Sequence, residues 1–299
     1  MAERLLILGA SGFVGRYVRS AVEPGRALGT YGRSAFEGGA HFDPLSMRIG
    51  DILGAEKGFS HAIILFAESK PDPCFRDPDT TRKINVDCLK TLVPDLLDRG
   101  IKPIFTSTEM VFDGEKGNYT EEDEANPVLA YGAQKLEAER YLQSLGEPLT
   151  IVRLAKVFGN LPEEGTLFAH WADQMVEQRP KHMRIAEDQA FSPVHGGDVA
   201  DALVRAAELD LDGIFHLAGD QRKSRIELFR MVVNELRKYT EVEIEIEPCS
   251  IKDFDLPEPR PLDLSLDCSK LIGAGALSNR NLDEACSAIV EQRAKIGLQ

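Results

Sequence analysis

The run Leu5-Leu6-Ile7-Leu8-Gly9-Ala10-Ser11-Gly12-Phe13-Val14-Gly15 constrains this chain more than any other segment. Four apolar residues read as a buried strand, too short for a helix. From Phe13 to Val22 apolar residues recur at i, i+3, i+4 and i+7, the period of an amphipathic helix. Between the two, three glycines stand at G-x-x-G-x-x-G spacing. Such a turn lets the backbone reverse tightly, approach a pyrophosphate closely and aim the free N–H groups of a helix N-terminus at its phosphates. Packing a helix onto a strand asks for the same glycines. The strand before and the helix after supply the context that points to a dinucleotide.

The rest of the first half repeats this alternation. Leu5–Leu8, Ala27–Tyr31, Ala62–Phe66, Ile104–Thr106 and Thr150–Leu154 read as strands, and Phe13–Val22, Arg82–Leu97 and Ala130–Leu145 as helices. Parallel strands need crossovers, usually helical, so the expected fold is α/β: a Rossmann-type, doubly wound parallel sheet. Later the pattern loosens. Around Gly159–Gly165 and from Arg222 onward polar loops, a helix over Ser224–Tyr239 with Ser224 as N-cap, and Pro257-Glu258-Pro259-Arg260-Pro261 replace the alternation. The expected division is a dinucleotide-binding domain over 1–158, with a returning segment at about 186–221. A smaller, partly discontinuous C-terminal substrate domain takes 159–185 and 222–299.

At the end of the second strand, where a carboxylate would take the ribose 2′-hydroxyl of NAD, the chain reads Tyr31-Gly32-Arg33-Ser34. A guanidinium fork suits a 2′-phosphate, so NADP(H) is preferred over NAD(H), with a solvated loop arginine as the plainer reading. Asp51-Ile52 is read as following the third strand, with Asp51 either accepting the adenine amino group or capping a helix. Ala67 ends the fourth strand on the sheet edge that would face the cofactor. Thr106-Ser107-Thr108-Glu109 closes the fifth, so its hydroxyls emerge at that edge. Tyr131 and Lys135, four apart, share one helix face, and a nearby ammonium favours phenolate over phenol. Taken one at a time, Tyr131 and Lys135 read more simply as a surface pair and Thr108 as a strand-end cap.

In this order and spacing, Gly9–Gly15, Ser107-Thr108 and Tyr131-x-x-x-Lys135 resemble the extended short-chain dehydrogenase/reductase family. The resemblance is closest to dTDP-4-dehydrorhamnose reductase-like proteins. Ser107-Thr108-Glu109-Met110-Val111-Phe112-Asp113-Gly114 is similar to their S-T-D-Y-V-F-D-G, and Tyr119–Pro127 to the loop before their tyrosine. Arg260-Pro261 through Leu266-Asp267-Cys268-Ser269-Lys270-Leu271 is similar to their R-P-x(4–5)-L-D-x-S-K-L segment. The resemblance implies an NADPH-dependent reduction of a nucleotide-linked 4-keto sugar. Thr108, Tyr131 and Lys135 would be catalytic, and Lys135 would also hold the nicotinamide ribose and depress the Tyr131 pKa. Cofactor contacts would come from Gly9, Ser11, Gly12, Phe13, Val14, Gly15, Arg33, Ser34, Asp51, Ile52, Ala67, Tyr131 and Lys135. Glu109 and Arg260 are substrate candidates, Arg260 as a phosphate clamp.

The chain departs from the family pattern at Glu109-Met110, where Asp-Tyr is usual, at Gln134, where serine is usual, and at Leu65-Phe66-Ala67-Glu68. Glu109-Met110 also lacks the Asp-Glu pair of the related 4,6-dehydratases, which argues against water elimination. A non-catalytic NADP-binding regulatory subunit of the same fold and a sugar-nucleotide epimerase are the competing readings. Asn85 is read as a structural hydrogen-bonder, His195-Gly196-Gly197-Asp198 as a helix start with Asp198 at or near the N-cap, and Trp171 with Phe168 and Met175 as core or domain-interface packing.

Charge and cysteine usage narrow the remaining classes. The 299 residues carry a formal net charge of −14. Most of the excess lies in Asp113–Glu124, with six acids and one lysine, and Glu241–Glu258, with seven and one. Met1–Arg33 has five arginines against two acids. Nucleic acid and membrane surfaces are therefore unexpected as partners, while one small phosphorylated ligand fits the N-terminal half. Five scattered cysteines form no C-x-x-C, and the six histidines form no metal-binding pattern, so neither a disulfide framework nor a metal is expected. The start Met1-Ala2-Glu3-Arg4 lacks a signal-peptide pattern, which predicts a cytoplasmic chain. The oligomeric state stays open, a homodimer included.

Overall fold

The computed structural model describes residues 4–160 and 166–297. The start Met1-Ala2-Glu3 and most of the Gly159–Gly165 loop lie outside them. Strands β1 (Arg4–Leu8), β2 (Ala27–Tyr31), β3 (Ala40–His41), β4 (Phe59–Ile64), β5 (Lys102–Thr108) and β6 (Thr150–Leu154) join Gly213–Leu217 in one seven-stranded sheet. Its order is Gly213–Leu217, β6, β5, β4, β1, β2, β3, and every pairing is parallel. The chain therefore runs outward from β1 in one direction, returns, and builds β4 to β6 on the other side. That reversal leaves a crevice at the carboxyl ends of β1 and β4.

Alternate side chains of the strands serve two separate cores. Leu5, Ile7, Ile63, Ile104 and Val152 point to one face, Leu6, Leu8, Ala62, Ile64, Phe105 and Ile151 to the other. Period-two alternation with both faces apolar makes each strand a continuous hydrophobic run, as the sequence shows. On the first face pack α1 (Phe13–Ala21) and the helix Gly196–Glu208, through Val18, Val199 and Leu203. Against the second lie α2 (Ile49–Leu53) and, beyond the short α3 (Pro71–Arg76) and α4 (Pro78–Arg82), α5 (Leu89–Asp98) and α6 (Ala130–Ser144).

A third core stands apart from the sheet. Helices α7 (Leu167–Glu177), Arg225–Leu236 and Leu282–Gly297 bury Phe168, Trp171, Met175, Phe229, Val232 and Ile289 together. Trp171 meets Phe229 edge to face at 5.3 Å, so Phe168, Trp171 and Met175 are core residues. Ser224 caps Arg225–Leu236, its Oγ accepting from Glu227 N while Glu227 Oε2 accepts from Ser224 N at 2.7 Å. All five cysteines are free and buried.

One local expectation changes and another sharpens. The third strand is only Ala40–His41, so Phe42-Asp43 and not Asp51-Ile52 follows it. At the start of Gly196–Glu208 the N-cap is His195, whose Nδ1 accepts from Gly197 N at 3.0 Å. Asp198 lies further in, buried and paired with Arg280.

Candidate active site

The glycine turn is shaped by what a side chain there would strike. A Cβ on Gly15 would stand 2.3 Å from Gly9 O, and Gly9 itself has a φ of 93°. Both positions therefore require glycine. Gly9 N donates to Thr30 Oγ1 at 3.1 Å and Gly12 N to Gly9 O at 3.0 Å, fixing the turn to the end of β2. No side chain caps α1 at Gly12, and Gly12, Phe13, Val14 and Gly15 all line a cleft of about 600 Å³. First-turn N–H groups without a side-chain cap, in a backbone with no room for a Cβ, fit a phosphate ligand.

The same cleft is lined by Gly9, Ser11, Arg33, Ser34, Ala67, Thr108, Glu109, Tyr131 and Lys135. Three of the sequence candidates do not line it. Asp51 occupies the third position of α2, where its Oδ2 accepts from Arg48 N at 2.7 Å, so it serves the helix start, and Ile52 lies beside it. Arg260 pairs with Asp72 on α3 and donates to Glu258 O at 3.4 Å. The expected phosphate clamp is thus engaged within the protein.

Thr108, Tyr131 and Lys135 come together because α6 docks unusually close to the end of β5. A Cβ on Gly132 would lie 1.9 Å from the Met110 carbonyl oxygen, so only glycine admits this approach. The N-cap Leu129 offers no side-chain acceptor; instead Glu258 Oε1 accepts from Ala130 N at 2.7 Å, capping the helix from the distant Pro257–Pro261 segment. Further along, the buried pair Arg153–Glu139 at 2.7 Å bolts α6 to β6. On its other side Gln134 Oε1 accepts from Asn85 Nδ2 at 2.7 Å, and Gln134 Nε2 donates to Thr81 Oγ1 and Pro78 O. Asn85 in turn holds both Glu68 N and Glu68 O, fixing the loop beyond Ala67. Asn85 is the structural hydrogen-bonder the sequence indicates.

The electrostatics of the three residues differ from the sequence expectation at one point. The Tyr131 pKa is raised rather than lowered. Lys135 Nζ donates to Thr106 O at 2.6 Å and lies 3.9 Å from the centre of the Phe105 ring. Burial, and then the charges of Glu109 and Cys74, push the Tyr131 phenol up, against a hydrogen bond with Thr108. Burial lowers Lys135 to about 7, with Glu139 opposing. Tyr131 is consequently a neutral phenol at physiological pH, the form that donates a proton.

Beside them stands Glu109, the substrate candidate that does line the cleft. Glu109 is 4 % exposed, and burial raises its carboxyl to about 7 against the attraction of Lys156. Thr108 Oγ1 donates to Glu109 Oε2 at 3.1 Å and accepts from Met110 N at 3.2 Å. Lys156, at the corner between β6 and the short β7 (Val157–Phe158), lines the cleft and was not foreseen. Among the described residues no cluster of His, Cys, Asp and Glu could hold a metal ion, and no helix is long and apolar enough to cross a membrane.

Comparison with known proteins gives this geometry a lineage. The chain is 25% identical over 296 residues to a dTDP-4-dehydrorhamnose reductase of Sinorhizobium fredii, with 96% of each chain covered. It is 27% identical over 292 residues to methionine adenosyltransferase 2 subunit beta of Xenopus tropicalis, covering 91% of this chain and 83% of that one. The crystal structure of dTDP-4-dehydrorhamnose reductase from Bacillus anthracis in complex with NADP superposes with a TM-score of 0.82 at 20% identity, covering 98% of this chain and 100% of that one. The model of the RmlD substrate binding domain matches residues 3–294, and the chain belongs to that family.

Proposed function

We propose that the protein is an NADPH-dependent reductase of a nucleotide-linked 4-keto sugar. The observation that carries this reading is one cleft holding the Gly9–Gly15 turn, Arg33, Thr108, Tyr131 and Lys135 together. NADPH would supply hydride to the carbonyl carbon. The N–H groups from Ser11 to Gly15 would hold its pyrophosphate, Arg33 and Ser34 its 2′-phosphate, and Lys135 its nicotinamide ribose. Thr108 would donate a hydrogen bond to the carbonyl oxygen as charge develops there, and Tyr131, a neutral phenol, would donate the proton. The NADP complex of the Bacillus anthracis structure supports the cofactor class. We further propose that the sheet with its flanking helices is the dinucleotide-binding domain and the third core the substrate domain, divided as the sequence indicates.

The test is NADPH oxidation, followed by absorbance, across a panel of 4-keto nucleotide sugars. Turnover of one or more of them supports the reading. Net oxidation also separates a reductase from an epimerase, which returns its hydride. The similarity to methionine adenosyltransferase 2 subunit beta favours a second reading, a regulatory subunit that binds the cofactor without turnover. Tight NADPH binding with no oxidation across the panel would select it.

A further inference from the structure

Lys156 in the cleft, and Arg225 near enough for its charge to reach Lys156, have no carboxylate partner among the described residues. Lys156 lines the cleft together with Thr108, Glu109 and Tyr131. Arg225 opens the helix Arg225–Leu236, its guanidinium 5.6 Å from the centre of the Trp171 ring and donating to Gln189 Oε1 at 3.2 Å. Among the described residues neither has a carboxylate within 4.0 Å. The positive charges of Arg225 and Arg260 both reach Lys156, and Arg260 is already paired with Asp72. Glu109 is the one acid that attracts Lys156, and burial raises its own carboxyl to about 7, so it is not a full counter-charge near neutral pH. A cation held out of water without a matched anion is costly, and a ligand that brings the anion recovers that cost.

We propose that Lys156, backed by Arg225, is a subsite for a carboxylate borne on the sugar, so that the substrate is an acidic sugar nucleotide. This rests on the sugar-nucleotide reading above. Position argues for the sugar and against the diphosphate. Lys156 shares the cleft wall with Thr108 and Tyr131, the groups that meet the reacting carbonyl, whereas the diphosphate lies beyond the anomeric carbon. A neutral deoxyhexose presents hydroxyls and a methyl group there, which leave the ammonium without a counter-charge.

The test is calorimetric titration of the NADP-saturated protein with UDP, UDP-glucose and UDP-glucuronic acid, repeated with the dTDP analogues. Comparison within one nucleotide cancels the contribution of the base. The acidic sugar is expected to bind about tenfold more tightly than the neutral one, the scale of one charge-assisted contact. Lys156→Met should bring that ratio close to one, and Lys156→Arg, which keeps the charge, should retain it. Equal binding of the two sugars by the native chain overturns the proposal, as does a preference that survives Lys156→Met. An equal loss for UDP and both sugars would assign Lys156 to the diphosphate and overturn it as well. If NADPH binds but no nucleotide sugar does, the sugar-nucleotide reading itself fails, and the proposal with it.

Discussion

Replacing Glu109 with glutamine should stabilise the protein, and by an amount that depends on pH. The carboxyl is fully buried, and burial moves it from its ordinary 4.5 to about 7. At about 1.4 kcal/mol per tenfold in proton affinity, the ionised form is disfavoured in the folded chain by about 3 kcal/mol. The sign follows from the direction of the shift. The folded state binds the proton more tightly than the unfolded state, so this residue costs nothing well below pH 4.5. Stability is lost as pH rises towards 7, and the loss is complete above it. Glutamine keeps the shape, cannot ionise, and removes that dependence. Integrating the two titrations gives a stabilisation of about 1 kcal/mol at pH 5 and about 3 kcal/mol at pH 8.5. Urea unfolding of both proteins at the two pH values measures it directly. A difference between native and Glu109→Gln that stays constant with pH would refute the reasoning, because it would show that Glu109 ionises as freely in the folded chain as in the unfolded one.

Three further outcomes are expected. Tyr131→Phe should lower kcat by about 100-fold or more in the NADPH oxidation assay while urea unfolding stays near native, since it removes the proton donor and little packing. Gly132→Ala would drive a methyl group into the Met110 carbonyl, so α6 must shift; thermal unfolding should report a loss of about 2 kcal/mol or more, and turnover should fall with it. Arg33→Ala should erase most of the preference for NADPH over NADH, measured as the ratio of their dissociation constants, with the NADH value nearly unchanged.

Much of the frame is legible in the sequence because buried parallel strands are short continuous apolar runs and their helices are periodic. The glycine turn could be placed at once, since its strand and helix flank it directly. The third strand has no bounds in the sequence because Ala40–His41 is too short to carry a pattern, and Asp51-Ile52, read as following it, instead lies inside the helix Ile49–Leu53. Spacing placed Tyr131 and Lys135 on one helix face, but it could not show that the ammonium turns to Thr106 O. That choice depends on where β5 lies in three dimensions. Gly132 carries no signal in the sequence, and only the Met110 carbonyl shows it to be a point of contact. Lys156 is a single lysine at a strand corner, with no spacing relation to any other candidate. Its meaning comes from the groups around it, which are contributed by residues as far apart as Glu109 and Arg225.

The cap on α6 has a consequence for how this chain comes into being. Ala130 N is satisfied by Glu258, a residue 128 positions later. During synthesis the helix bearing Tyr131 and Lys135 emerges long before its cap does, and its first turn must wait with that N–H turned to water. The glycine turn and β1 to β5 are complete by then, so a nascent chain would acquire its dinucleotide crevice early and its ordered tyrosine late. Chemical competence is thereby deferred until the chain has been made as far as Glu258.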